Sequence, residues 1–221
     1  MDTTIVVTIF SLIILLFSVI IHELAHGYVA YSLGDPTAKY AGRLTLNPLK
    51  HLDPFGSIIL PLLLFIAYAF SGIPGPIFGW AKPVPINPYN FTDKKYGEIK
   101  VSVAGPASNI LLAIIFGLIF RFIPQSLVLM SDGAQNGFGI ALTFIIYINI
   151  WLAIFNLIPI PPLDGSWILF NYLPASMQST KNFLRQYGIM ILIFLILFGG
   201  NFWFNIVGAI FQFITGHALI L

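Results

Sequence analysis

Residues 19–30 read VIIHELAHGYVA, an apolar run broken by His22, Glu23 and His26. On a helix, positions i and i+4 share a face, so His22 and His26 stand one above the other. Two imidazoles so placed can share a zinc ion at metal–nitrogen distances of about 2.0–2.1 Å. Glu23 lies beside them, suited to take a proton from a water that zinc has acidified to a pKa of about 7. This is hydrolytic chemistry. The plain alternative is that all three are ordinary helix residues. At membrane depth each ionisable group costs on the order of 2.5–3.5 kcal/mol on insertion scales, so three together require a compensating role. A metal is the most direct one, and a proton or metal transport path is its main competitor.

Catalytic zinc usually takes three protein ligands and keeps one open position. The only other glutamate, Glu98, lies in KKYGEIK and reads as a solvated interfacial residue. The aspartates are separated by depth. With helix from Thr4, His22 lies about 27 Å along the axis, near the inner end of a core about 30 Å thick. A later helix from Gly139 can run to Ile158 before Pro159, Pro161 and Pro162 stop it, again about 30 Å. Asp164 follows that break at a depth similar to that of His22 if the two spans are parallel. Asp2 and Asp132 fall at the wrong end, and Asp93 lies among lysines. Unwound backbone at this depth is tolerated where it is buried in protein or lines a wet cavity. Asp164 is thus the candidate third ligand. Its simpler role would be capping a short helix from Gly165.

The elements that must position these groups are membrane spans. Of 221 residues 58% are apolar and 8% charged, with mean hydropathy +0.92; soluble domains carry about 25% charge. The net charge of +2 is too small to suggest nucleic acid, and there is no basic tract, so no nucleic-acid partner is expected. The absence of cysteine excludes disulfides and thiolate ligands. The N-terminus lacks a basic n-region and a cleavage site, so it reads as an uncleaved span. Long apolar segments cover 4–33, 100–122, 138–158 and 187–215. The segment 57–80 is shorter, broken by Pro61 and punctuated by Gly-Pro at 72–76. If it re-enters, Lys39, Arg43, Lys50, Lys82, Lys94, Lys95, Lys100, Lys181 and Arg185 all fall on one face, with only Arg121 opposite, as the positive-inside rule prefers.

The expected fold is therefore an all-α polytopic membrane protein, one domain over 1–221. It has four transmembrane helices, both termini outside, a re-entrant hairpin at 57–80 and a small β ribbon at the cytoplasmic edge, around GRLTL. AKPVPINPYNF (81–91) is irregular or extended. The expected location is the cell membrane, with the site near its cytoplasmic side.

HELAH in the first span together with NLIPIPPLDG in a later one resembles the site-2 protease family of intramembrane zinc metalloproteases. AGRLTLNPLKHLDPFGS (41–57) and FGWAKPVPINP (78–88) resemble its compact bacterial-type members, and AGPASN (104–109) its Gly-x-x-x-Asn element. The matches run from about residue 19 to 170. The resemblance implies one Zn²⁺ per chain held by His22, His26 and Asp164, with Glu23 as general base. It implies cleavage within or beside a membrane-spanning segment of a protein substrate. It also implies that Asn109 and Asn156 bind substrate or support the oxyanion. The PDZ and CBS domains of larger relatives have no counterpart here. Nothing in the sequence sets an oligomeric state.

An unwound substrate needs an extended edge to pair with, and the ribbon at Arg43–Leu46 is the candidate. His51 is either a substrate-contacting gate or extra ligand, or part of a turn. Asp53 favours a turn or cap. Asn109 has the alternative of bonding between helices, and His217 reads as interfacial. A transporter on the same ligands would show broken helices in paired inverted repeats, whereas only one break carries a carboxylate. A non-catalytic relative that binds membrane segments would not need Glu23.

Overall fold

A computed structural model describes residues 3–71, 81–128 and 136–219. The long helices are α1 (Thr3–Ser32), α4 (Gly97–Phe122), α5 (Gly137–Asn156) and α7 (Gln178–Phe198). Shorter ones are α2 (Thr37–Tyr40), α3 (Leu60–Ser71), α6 (Gly165–Tyr172) and α8 (Gly200–Thr215). Four helical stretches are long and apolar enough to cross a bilayer: Ile9–Ser32, Gly97–Phe122, Gly137–Asn156 and Ala175–Phe198. The chain is a multi-pass membrane protein.

Packing fixes the relative directions. The C-terminal half of α1 meets the N-terminal half of α4 through His26 and Val101, so these helices are antiparallel. Ser18 of α1 meets Asn149 of α5, and Asp164, just past α5, meets His22, so α1 and α5 are parallel. Arg121 near the end of α4 donates to the carbonyls of Phe213 and Ile214 near the end of α8. The start of α1 and the end of α8 therefore lie at one end of the bundle, and HELAH lies toward the other.

A hydrophobic cluster of Ala113, Phe120, Leu142, Ile146, Ile150 and Phe211 joins α4, α5 and α8. Between lipid-immersed helices, packing and polar contacts hold the bundle, because lipid is as apolar as the partner helix. Leu12, Ile13, Leu111 and Phe194 accordingly face outward.

Two expectations change. The segment 187–215 is not one span: α7 begins at Gln178, and the helix is broken at Gly199 before α8. Consecutive glycines at 199–200 have little helix propensity, which allows the break. No strand occurs among the described residues, and 43–46 is irregular. Its backbone is used in turns: the Arg43 N–H goes to the Ala38 carbonyl (3.0 Å), and the Thr45 carbonyl accepts from His51 (2.8 Å). The expected hairpin at 57–80 is described only as far as α3, which follows a π-helical turn at Pro54–Ile59. Its Gly-Pro turn at 72–76 lies outside the described residues.

Asp35 fastens the end of α1 to the extended stretch that walls the site. It is fully buried and accepts from the Asn87 N–H (2.7 Å), Asn90 Nδ2 (2.8 Å) and the Thr37 hydroxyl (2.5 Å). Burial pushes its pKa up, but the hydrogen bonds from Asn87, Thr37 and Asn90 outweigh this and hold the carboxyl below its ordinary value. A folded pKa below the unfolded value of about 3.9 stabilises fully above that pH and is lost as pH falls through the folded pKa. Asp35→Asn is expected to cost about 1.5–3 kcal/mol. The loss is read by denaturation in detergent at neutral pH, and the gap from wild type should close below pH 4 by about that pKa. An unchanged gap at low pH would count against the assignment.

Candidate metal centre and catalytic cleft

Ser18, His22 and His26 form an i, i+4, i+8 stripe on α1, turned toward α4 and α5. The two histidines are buried at 6% and 5% exposure, with their Nε2 atoms 3.0 Å apart. Asp164 Oδ2 stands 3.0 Å from the first and 3.2 Å from the second. Two parts of the chain more than a hundred residues apart, α1 and the turn after α5, thus bring three ligand atoms to one point.

The backbone after α5 delivers that carboxylate. Gly165 packs so closely beneath Leu157 and Ile158 that a Cβ there would strike their carbonyl oxygens. Glycine is therefore required at 165, where the chain turns into α6. The Ser102 hydroxyl of α4 donates to the Asp164 carbonyl. The Asp164 side chain makes no cap bond to α6, so the capping role does not apply.

Hydrogen bonds set the imidazole tautomers. His22 Nδ1 meets Asn109 Oδ1 at 2.6 Å, and Asn109 Nδ2 donates to Asn149 Oδ1 at 2.8 Å. Asn149 Nδ2 in turn donates to Ser18 Oγ at 2.9 Å. His26 Nδ1 meets the Val101 carbonyl at 2.6 Å. Facing acceptors, both Nδ1 atoms carry the proton in the neutral rings, which leaves both Nε2 atoms as lone-pair donors. The short Nε2–Oδ2 pairs then contain no hydrogen, and Asp164 Oδ2 is buried without a hydrogen-bond partner. Three converging lone pairs are costly until a cation joins them.

The residues fit zinc. A tetrahedral ion with bonds of about 2.0–2.1 Å separates its ligand atoms by about 3.3 Å, against the 3.0–3.2 Å seen here. The outer bonds to Asn109 and Val101 are of the kind that orient metal-ligating histidines. Space is kept by Gly105, one turn before Asn109: a Cβ there would overlap both Nε2 atoms.

Glu23 lies outside this trio. Its Oε2 accepts from the Val84 N–H at 2.7 Å. Val84 belongs to an extended stretch, 81–87, in which Pro83 and Pro85 have no N–H to offer. Arg43, buried at 5% exposure, grips the stretch by donating to the Lys82 carbonyl (2.5 Å) and the Pro83 carbonyl (3.3 Å). The Lys82 N–H goes to the His51 carbonyl (2.9 Å).

His22, Glu23, His26, Asp164, Pro83 and Val84 line a cleft of about 390 Å³ that also includes Asn156, Glu98, Ile86 and Trp167. Of the residues singled out in the sequence, His22, Glu23, His26, Asp164 and Asn156 meet at this cleft. Asn109 is wholly buried behind His22 and is not on the cleft wall. His51 is also wholly buried, away from the wall and bonded to Thr45. Asp53 caps the π-helical turn through the N–H groups of Phe55 and Gly56. Glu98, read from sequence as solvated, is on the wall. Val84, Arg43 and the Ser18–Asn149 support were not foreseen. Polar residues inside apolar spans were the available signal for Ser18 and Asn149.

The profile of peptidase family M50 matches residues 10–199. "Putative zinc metalloprotease YwhC" of Bacillus subtilis (strain 168) is 40% identical over 193 residues, 86% of this chain and 80% of that protein. "Putative zinc metalloprotease Rip2" of Mycolicibacterium smegmatis is 33% identical over 191 residues, 86% of this chain and 67% of that protein. Rip2 of Mycobacterium tuberculosis (strain H37Rv) is 31% identical over 182 residues, 82% of this chain and 64% of that protein. No solved structure matches significantly. Agreement along nearly the whole chain means that it belongs to peptidase family M50, the site-2 protease family, and is a metalloprotease.

Proposed function

We propose that the protein is an intramembrane endopeptidase that holds one Zn²⁺ per chain through His22, His26 and Asp164. It cleaves peptide bonds in or beside membrane-spanning segments of other proteins. The observation that carries this is the convergence of three buried ligand atoms, two on the spanning helix α1 and the third an orphaned carboxylate oxygen just past the spanning helix α5. Bound zinc would supply Lewis acidity toward the scissile carbonyl and acidify water near it.

This chain's own residues do the rest. Glu23 takes the proton from the attacking water and returns it to the leaving amine. The Val84 N–H keeps one carboxylate oxygen fixed, and the Arg43 grip on Lys82 and Pro83 holds Val84 in place. Asn156 faces the cleft with its Nδ2 turned to the Leu152 carbonyl (2.9 Å), so its carbonyl oxygen is the group offered to substrate. Asn109 acts through His22 by fixing its ring. Every lysine and arginine except Arg121 clusters toward the end of the bundle nearer the site, which by the positive-inside rule is the cytoplasmic one.

The test is where the substrate is cut. A single-span protein is reconstituted with the enzyme in vesicles, and its products are mapped by mass spectrometry. The scissile bond is expected inside the apolar segment or within a few residues of its inner end. Cleavage only in a distant soluble region, or equal cleavage after the apolar segment is removed, would refute the intramembrane reading.

A further inference from the structure

Glu98 is a carboxylate on the wall of the catalytic cleft with no hydrogen-bond or ion-pair partner among the described residues. Its surroundings are basic, yet the neighbouring lysines are engaged elsewhere. Lys100 pairs with Asp93 at 2.7 Å, Lys94 donates to the Tyr89 carbonyl, and Lys95 lies over the Tyr96 ring. None of the three lines the cleft. The rest of the wall near Glu98 is apolar or aromatic: Ile86, Phe91, Val101 and Trp167.

The register on α4 gives its distance from the chemistry. Glu98, Val101, Ser102 and Gly105 share one face at i, i+3, i+4 and i+7. Gly105 abuts both Nε2 atoms, and Ser102 holds the Asp164 backbone. Seven residues of helix separate Glu98 from Gly105, about 10 Å toward the basic end of the bundle. An extended peptide advances about 3.3 Å per residue, so about three residues cover that distance.

We propose that Glu98 is a specificity-determining residue that receives a lysine or arginine of the substrate about three residues from the scissile bond, on its cytoplasmic side. The inference rests on the endopeptidase reading, which supplies the substrate. Its chemistry suits the substrate class, since membrane segments carry their basic residues at the cytoplasmic end. The apolar wall takes the segment, and the unpaired Glu98 takes the charge that ends it.

The experiment uses one single-span substrate with Lys, Gln or Glu placed three residues to either side of the mapped scissile bond. Each version is assayed for kcat/KM with wild type, Glu98→Gln and Glu98→Lys. Affinity of the same substrates is measured separately in a Glu23→Gln background, where turnover does not interfere. Wild type should favour Lys over Gln about five- to tenfold, in keeping with a half-exposed ion pair. Glu98→Gln should bring that ratio to near one, and Glu98→Lys should invert it in favour of Glu. Because the readout is a ratio within each variant, partial loss of folded protein does not disturb it. Cleavage by wild type with no preference, or a preference that survives in Glu98→Gln, overturns the role of Glu98 and leaves the protease standing. Binding that prefers Lys in the absence of any cleavage keeps the Glu98 subsite and overturns the endopeptidase reading. Neither cleavage nor preferential binding overturns both.

Discussion

Gly105→Ala is expected to lower zinc affinity at least a hundredfold while leaving the helical content unchanged. The added methyl would lie inside van der Waals contact of His22 Nε2 and His26 Nε2, the two atoms that face the metal position. Either α4 must withdraw or both rings must turn, and turning breaks the bonds to Asn109 and Val101. Loss of outer-shell support alone costs about 10–100-fold in metal affinity, and here the ligand atoms are displaced as well. Helix propensity works the other way, since alanine is favoured over glycine by about 1 kcal/mol in a helix interior. A loss of zinc would therefore come from the site and not from a weakened α4. The measurement is metal per chain after dialysis against a weak chelator, with circular dichroism as the control. Full zinc retention would mean that the two imidazoles do not converge against this face of α4.

Glu23→Gln should separate the metal from the chemistry. The glutamine keeps the shape of the side chain, and its carbonyl oxygen can still accept from the Val84 N–H, so the extended stretch 81–87 stays in place. Zinc should also stay, because Glu23 is outside the proposed ligand trio of His22, His26 and Asp164. What is lost is the proton acceptor. A positioned general base contributes about 10²–10⁴-fold, so kcat is expected to fall by that factor with little change in KM. Side-by-side assays of the two variants distinguish their mechanisms: one loses metal and activity together, the other loses activity alone.

The chemistry was the most legible part of the sequence. HELAH carries its own geometry, because i and i+4 share a helix face. Asp164 could be reached by counting depth along two spans, because the rise per residue is fixed. Glu98 reads from sequence as a solvated residue because composition around it is lysine-rich, and its place on the cleft wall is what that reading lacks. Only the spacing 98–102–105 on α4 could have turned it toward the site, and that required knowing that Gly105 faces the histidines. The contact from the Val84 N–H to Glu23 had no sequence signature, since every residue except proline offers the same backbone donor. The two flanking prolines at least left Val84 as the sole donor among 83–85.

The alternation in GRLTL suggested a ribbon, but alternation does not reveal that turns from Ala38 to His51 consume the backbone groups. For Asn109 the resemblance implied a place near substrate, and the alternative of bonding between helices is the one seen. Its buried bond to His22 depends on the packing of α1 against α4, which a linear reading does not supply. The pair Gly199–Gly200 was visible and marks where the last apolar segment divides.

The most direct test of the account measures zinc content and cleavage of a single-span substrate on the same preparations of wild type and Glu23→Gln. The expected result is one zinc per chain in both and cleavage by wild type alone. Cleavage by Glu23→Gln at the wild-type rate, or preparations of wild type that cleave without zinc, would contradict it.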